Sequence, residues 1–188
     1  VNKTHKPITI VTEDELKKIS QLQTPNQVLA IVTMKDEGEC DAIENKLSLV
    51  LDGIQDPGNF GTIIRIADWF GIENIICSTH TADMYNPKVV QSTMASLGRV
   101  NLLYTDIEAW LQYNKDIKKY AAVLGGTAIS KSKKTAEGII IIGNESKGIS
   151  DAILAHADEK ITIPKTGLAE SLNAAVATGI ILYAFCGE

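Results

Sequence analysis

Apolar residues recur along this chain in two patterns. Short runs carry apolar residues on both faces, as Leu47–Asp52 (LSLVLD) does and as the continuously apolar Gly138–Ile142 (GIIII) does throughout, which marks strands covered by helices on both sides. Between such runs apolar residues return at helical spacing, as Phe60, Ile63, Ile64 and Ala67 do within Asn59–Phe70. Read in order, the pattern predicts strands at Leu47–Asp52, Asn74–Cys77, Val100–Tyr104, Tyr120–Leu124, Gly138–Ile142 and Lys160–Ile163. It predicts helices at Asn59–Phe70, Pro87–Leu97, Asp106–Tyr113, Ser150–His156 and Glu170–Phe185. Strands alternating with helices make an α/β fold around a mostly parallel sheet, with helices on both faces.

Residues 1–34 stand apart. Glu13–Gln21 reads as a short helix and Val28–Met34 as a strand, and neither can bury itself. Residues 35–46 (KDEGECDAIENK) are dense in charge and lack apolar periodicity, so they read as a linker to a main domain at 47–188. With Val rather than Met at position 1, the chain is read as lacking an upstream domain. The helix at Glu170–Phe185 turns wholly apolar after Asn173, which predicts burial on every side. Its small residues Ala174, Ala175, Ala177 and Gly179 admit close approach by another element, within the fold and against a second subunit.

Composition narrows the classes. A length of 188 residues suits one principal domain, and 45% hydrophobic against 22% charged residues excludes a disordered chain. Lys and Arg number 18 against 23 Asp and Glu, a net charge of −5, so bulk charge does not coat nucleic acid. A local patch remains open: Lys131, Lys133 and Lys134 form one basic loop, with Arg99, Lys147 and Lys165 as further cations. Cys40, Cys77 and Cys186 include no C-x-x-C pair, which argues against a disulfide framework or structural zinc and for a reduced, cytoplasmic setting. His5, His80 and His156 have no metal-ligand spacing, so no metal is expected. Val1–Lys6 has no signal-peptide core, and the charge-free stretch Ser171–Cys186 is short for a membrane span.

In open α/β sheets ligands collect beyond the carboxyl ends of the strands. Three loops there carry unusual residues. Asp52–Gly61 (DGIQDPGNFG) holds three glycines and a proline, with Asp56 or Asn59 placed to cap the following helix. Arg65 lies on that helix about 140° from Phe60, off the apolar stripe. Gly143–Gly148 (GNESKG) follows the most apolar strand and sets the carboxylate of Glu145 at its end. It lacks the Lys-Ser/Thr of a phosphate loop, which disfavours a nucleotide triphosphatase, and Ser146 is in no G-x-S-x-G elbow. The third loop, Ile163–Ala177, leads into the last helix past Ser171 and Asn173. Each loop has a plainer reading: a link with a solvated arginine, a glycine turn, a pair of helix caps. Without a G-x-G-x-x-G, a nucleotide-binding oxidoreductase is disfavoured too.

The three loops in this order resemble the signature motifs of the SpoU (TrmH-like) branch of the SPOUT RNA methyltransferases. The matching text is LVLDGIQDPGNFGTIIRIADWFGI at Leu49–Ile72, IIIIGNESKGIS at Ile139–Ser150 and ITIPKTGLAESLNAAVATGIILYAF at Ile161–Phe185. The resemblance covers about residues 47–186, and Ile8–Val32 looks like the tail of the ribosomal-protein-like substrate domain often found upstream in this family. It implies a deep C-terminal trefoil knot, S-adenosylmethionine bound in the knot, and a homodimer with active sites at the subunit interface. It implies methylation of a ribose 2′-hydroxyl in ribosomal or transfer RNA. Asn59, Arg65, Glu145, Ser171 and Asn173 match the family's functional positions, and Gly143, Ile163 and Leu172 its cofactor contacts. Lys165 stands where an apolar residue is common, and Ala174-Ala175 where Val-Ser is commoner; both alter the pocket lining without removing a reactive group.

Methyl transfer to a hydroxyl needs an oriented oxygen and a place for one proton. A guanidinium stays protonated in proteins, so Arg65 is expected to donate hydrogen bonds to the ribose oxygen and a nearby phosphate rather than act as a base. The proton would leave through the phosphate, water or Glu145. The competing expectation is a non-catalytic RNA-binding or ribosome-assembly protein on the same fold.

Overall fold

The computed structural model describes residues 8–20, 22, 24, 26–34, 43–132 and 135–186. The chain divides into two units, Val1–Met34 and Lys35–Glu188. In the first unit α1 (Glu13–Ile19) opens with a capping box, the Thr12 hydroxyl accepting from the Glu15 amide while the Glu15 carboxylate accepts from the Thr12 amide. The helix buries none of its residues. Gln21, its expected last residue, lies outside the described residues. Val28–Met34 is not a strand. The run has the right composition, but no described strand in its unit offers a ladder, and Ile31 is 95% exposed. Most of the expected linker, 35–42, and Cys40 within it, also lie outside the described residues.

The second unit is built on one six-stranded parallel sheet. Its strands are β1 (Leu47–Asp52), β2 (Asn74–Cys77), β3 (Asn101–Tyr104), β4 (Lys119–Ala128), β5 (Gly138–Gly143) and β6 (Glu159–Thr162), in the order β3-β2-β1-β5-β4-β6. β1, β2 and β5 are buried on both faces, as apolar residues at successive positions require. One face, through Leu49, Leu51, Ile140 and Ile142, joins a core with α2 (Pro57–Trp69), α3 (Pro87–Thr93) and α6 (Ala174–Cys186). The other face, through Val50, Ile139 and Ile141, joins one with α4 (Ile107–Tyr113) and α5 (Asp151–Leu154). Strand order runs outward from β1 to β2 and β3 on one side and starts afresh with β5 on the other. The carboxyl ends of β1 and β5, where Asp52 aligns with Gly143, are therefore a topological switch point, the usual place for a ligand.

Three elements depart from expectation. The helix at Pro87–Leu97 stops at Thr93, because Met94 and Ala95 are left-handed and a 3₁₀ turn follows at Ser96–Gly98. The Ser96 hydroxyl and the Arg99 guanidinium both bind the Asp68 carboxylate, which draws the chain out of the helical path. The last helix begins at Ala174 rather than Glu170, because the Asn173 side chain accepts from the amides of Ala175 and Val176 and so caps it. Ser171 thus lies in the preceding loop. Nor is this helix buried all round: Ile181, Leu182 and Phe185 are buried while Val176, Ile180 and Tyr183 are exposed, Tyr183 to 68%.

β4 outruns its expected end. Ala122 and Thr127 both pair with Ile161 of β6. A strand residue takes one partner on each edge, so the chain follows one edge of β6, crosses it and continues along the other. Gly126 marks the crossing: a Cβ there would collide with the backbone of Lys160 and Ile161.

Candidate functional site

The site grows from the loops at the switch point. Asp56 caps α2, its carboxylate accepting from the Asn59 amide at 2.7 Å. That bond, with Lys88 nearby, holds the Asp56 carboxyl below the usual aspartate range. Capping places Asn59 in the first turn of α2, facing the loop after β5. In that loop Asn144 and Gly148 exchange backbone hydrogen bonds of 2.9 Å, folding the turn tightly. The fold needs glycine at 143, where a Cβ would run into the backbone of Gly148 and Ile149. Two ties fix the turn to the first loop. Asn144 Nδ2 donates to the Gly53 carbonyl at 2.7 Å, and the Ser150 amide and hydroxyl both donate to Asp52 at 2.8 Å.

These ties bring Glu145 against Asn59, and the cap of α6 joins them. Asn173 Nδ2 donates to Asn59 Oδ1 at 2.8 Å, and Asn59 Nδ2 donates to Glu145 Oε1 at 2.9 Å. The orientation of both amides is fixed from the two ends. Asn173 spends its oxygen on the α6 amides, so its nitrogen faces Asn59; a carboxylate only accepts, so the nitrogen of Asn59 faces Glu145. Three segments remote in sequence thus meet in one polar chain. Beside it a cleft of about 400 Å³ opens between α2 and α6, lined by Asn59, Thr62, Ile66, Asn173, Val176 and Ile180 among others.

The other expected residues fall as follows. Gly143 ends β5 and Ile163 follows β6, both half-buried, while Ser171 and Leu172 lie exposed in the loop before α6. Ser171 takes no part in the polar chain. Arg65 is exposed and lies about 120° around α2 from Asn59, so it does not enter the cleft of its own chain. Lys131 sits on an exposed turn after β4. Its neighbour Ser132 binds Glu159 at the amino end of β6, away from the polar chain at the carboxyl ends. Lys133 and Lys134 lie outside the described residues. Arg99 is committed to Asp68.

Sequence reasoning missed the supporting residues. Asp52 and Asn144 hold the two loops together, and neither carries a sequence signal beyond its place after a strand. Leu124 is exposed at the carboxyl side of β4, just before the crossing at Gly126. A Gly-Gly pair at the end of an apolar run is the usual mark of such close backbone approach, and Gly125-Gly126 was there to be read. Among the described residues no cluster of His, Cys, Asp and Glu could hold a metal ion.

Comparison with known proteins adds the following. Residues 46–183 match the model of the SpoU rRNA Methylase family. The 23S rRNA (guanosine(2553)-2′-O)-methyltransferase RlmP of Bacillus subtilis is 31% identical over 177 residues, covering 93% of this chain and 70% of that protein. The 23S rRNA (uridine(2479)-2′-O)-methyltransferase of Streptomyces viridochromogenes is 32% identical, covering 86% of this chain and 60% of its own length. The SpoU methyltransferase AviRb from the same organism, solved in complex with the cofactor AdoMet, superposes with a TM-score of 0.82 at 29% identity, over 95% of this chain and 72% of that one.

Proposed function

This chain belongs to the SpoU rRNA Methylase family, and on that premise we propose that it transfers a methyl group from S-adenosylmethionine to a ribose 2′-hydroxyl of large-subunit ribosomal RNA. The observation that carries the site assignment is the polar chain Asn173–Asn59–Glu145, which unites the three motif loops at the switch point. The residues present fit the cofactor. At the switch point the turn after β5 packs backbone to backbone, Gly143 against Gly148 and Ile149, so it presents main-chain groups rather than side chains, and Leu124 and Leu172 are exposed apolar residues. Gly143, Ile163 and Leu172 hold the cofactor largely through backbone groups. When bound, it supplies an electrophilic methyl group on a sulfonium.

The chain's own residues do the rest. Arg65 donates to the ribose oxygen and an adjoining phosphate, stabilising charge as the hydroxyl loses its proton. Glu145 takes that proton, held in place by Asn59. Asn173 fixes Asn59, and Ser171 borders the ribose. The exposed α6 face of Val176, Ile180 and Tyr183 pairs with a second copy, making a homodimer. Because Arg65 turns away from its own cleft, it serves the partner's. The passage of β4 along both edges of β6 supports the deep trefoil knot of the family. Residues 1–34 belong to a separate RNA-binding unit, and Lys131, Lys133 and Lys134 extend the RNA footprint. The enzyme works in the cytoplasm.

The test is methylation of an unmodified 23S rRNA transcript with labelled cofactor, followed by mapping of the modified nucleotide. Arg65→Ala is expected to lower the rate more than about tenfold while cofactor affinity, read by calorimetry, barely changes. A parallel loss of cofactor binding would instead point to collapse of the site, and an unchanged rate would remove Arg65 from the reaction.

A further inference from the structure

Resting on the reading above, the geometry points to a specificity element at a position to which the resemblance assigns no role: we propose that Trp69 is a platform on which a base of the RNA stacks, one helical turn from the Arg65 guanidinium. Trp69 ends α2 and is 83% exposed. The apolar stripe of that helix, Phe60, Ile63, Ile64 and Ala67, is fully buried without it. An indole on the opposite side therefore contributes nothing to the core.

Its position on the helix is defined by what flanks it. α6 lies along the side carrying Asn59, Thr62 and Ile66. α3 and the 3₁₀ turn lie along another side, with Ser92 against Gly61 and Ser96 bonded to Asp68. Arg65 and Trp69 occupy the solvent-facing strip between them. Four residues apart, their side chains lie over one another.

The electrostatics favour a nucleic acid there. Arg65 has no hydrogen bond or ion pair to any other described residue, so its guanidinium is available to a phosphate. The adjacent acid, Asp68, is engaged by Arg99 and Ser96, with Arg99 Nη2 at 2.7 Å. Asp56, at the start of the helix, is paired with Lys88 at 3.5 Å. An unpaired guanidinium beside an open aromatic ring is the combination that grips single-stranded RNA, the cation taking the backbone and the ring a base.

A second observation marks the same place. Met94 and Ala95 are consecutive non-glycine residues with φ of 49° and 72°. They lie between Ser92 and Ser96, hence beside the stretch of α2 that carries Arg65. Left-handed backbone at such residues is strained and persists where the surroundings enforce it, commonly at binding sites. The detour leaves Met94 65% exposed, a second apolar surface flanking the strip.

The experiment uses the full chain in a Trp110→Phe background, which leaves Trp69 as the single tryptophan of the two in the sequence. Titration with an unmodified 23S rRNA transcript is expected to quench Trp69 emission. Trp69→Ala should raise the KM for that transcript about tenfold, and Trp69→Phe should restore most of the loss, since any aromatic face stacks. Cofactor affinity and molecular mass in solution should stay as in the wild type. No quenching, an unchanged KM for Trp69→Ala, or Trp69→Leu behaving as Trp69→Phe would overturn the proposal. A lower mass for Trp69→Ala would also overturn it, assigning the ring to contact between two copies. If the unsubstituted chain methylates neither 23S nor transfer RNA transcripts, the functional reading itself falls, a result separable from failure at Trp69 alone.

Discussion

Asn59 does what no other side chain of its size can: on one short stem it offers an acceptor to Asn173 and a donor to Glu145. Replacing it by Asp keeps the acceptor and the volume but turns a carboxylate toward Glu145, where Nδ2 now donates at 2.9 Å. Two carboxylates at that separation cannot both ionise freely, so the pair retains a proton to higher pH than either acid alone. Asn59→Asp is therefore expected to acquire a pH dependence absent from the wild type. The protonated variant restores a hydrogen bond to Glu145, and its methylation rate should fall as pH rises and that proton is lost. Superimposable pH–rate profiles for the two proteins would show that Asn59 and Glu145 do not act together.

Among the elements, the contact between α2 and the 3₁₀ turn carries the clearest linkage to pH. Hydrogen bonds from Arg99, then from Ser96, hold the Asp68 carboxyl below its ordinary value of 3.8. A depressed carboxylate contributes stability that is complete above the ordinary value and is lost as pH falls through the lowered one. Asp68→Asn should cost about 1–2 kcal/mol near neutrality by weakening charge-assisted bonds to a buried hydroxyl. Urea melts across the acid range should show the variant losing less stability than the wild type as pH drops, and parallel losses would contradict the linkage.

The same contact explains what the sequence could not reveal about α3. Residues 87–97 keep helix-forming composition throughout, and the break at Met94 comes from a partner 28 residues away, Ser96 reaching Asp68. The strands β1 and β5 were legible because burial on both faces leaves apolar residues at successive positions, Leu49-Val50-Leu51 and Ile139–Ile142, in the text itself. Val28–Met34 shows the limit of that signal, for composition marks a strand only if a neighbour supplies the ladder. The start of α6 was misplaced because Asn173 looks alike inside a first turn and as the cap before it. At the site, the residues alone offered Asn59 and Asn173 as helix caps and Glu145 as a carboxylate at a strand end, and the resemblance of their loops to the family's motifs supplied the functional roles. That they form one hydrogen-bonded chain depends on separations of 86 and 114 residues, beyond any local pattern.

For the whole molecule, the direction of Arg65 leads to a test of how many chains make one site. If the arginine of one copy serves the cleft of the other, two inactive variants can rescue each other. Co-expressed Arg65→Ala and Asn173→Ala chains form mixed dimers with one site built wholly from intact residues, recovering about half the activity of a wild-type dimer. Each variant alone stays inactive. Methyl transfer by purified mixed dimers measures this, and a mixed dimer as inactive as its parents would mean that each chain supplies its own arginine.

The crossing at Gly126 bears on solubility. An outermost strand ordinarily exposes a row of unsatisfied amides and carbonyls that recruits other polypeptides. Here Thr127 and Ala128 occupy the outer flank of β6 at Ile161 and Thr162, so the protein shields that margin with its own backbone. The opposite margin, Asn101–Tyr104, is only four residues long. Neither border offers a stranger much to zip onto, which suits a protein whose native encounters are with nucleic acid.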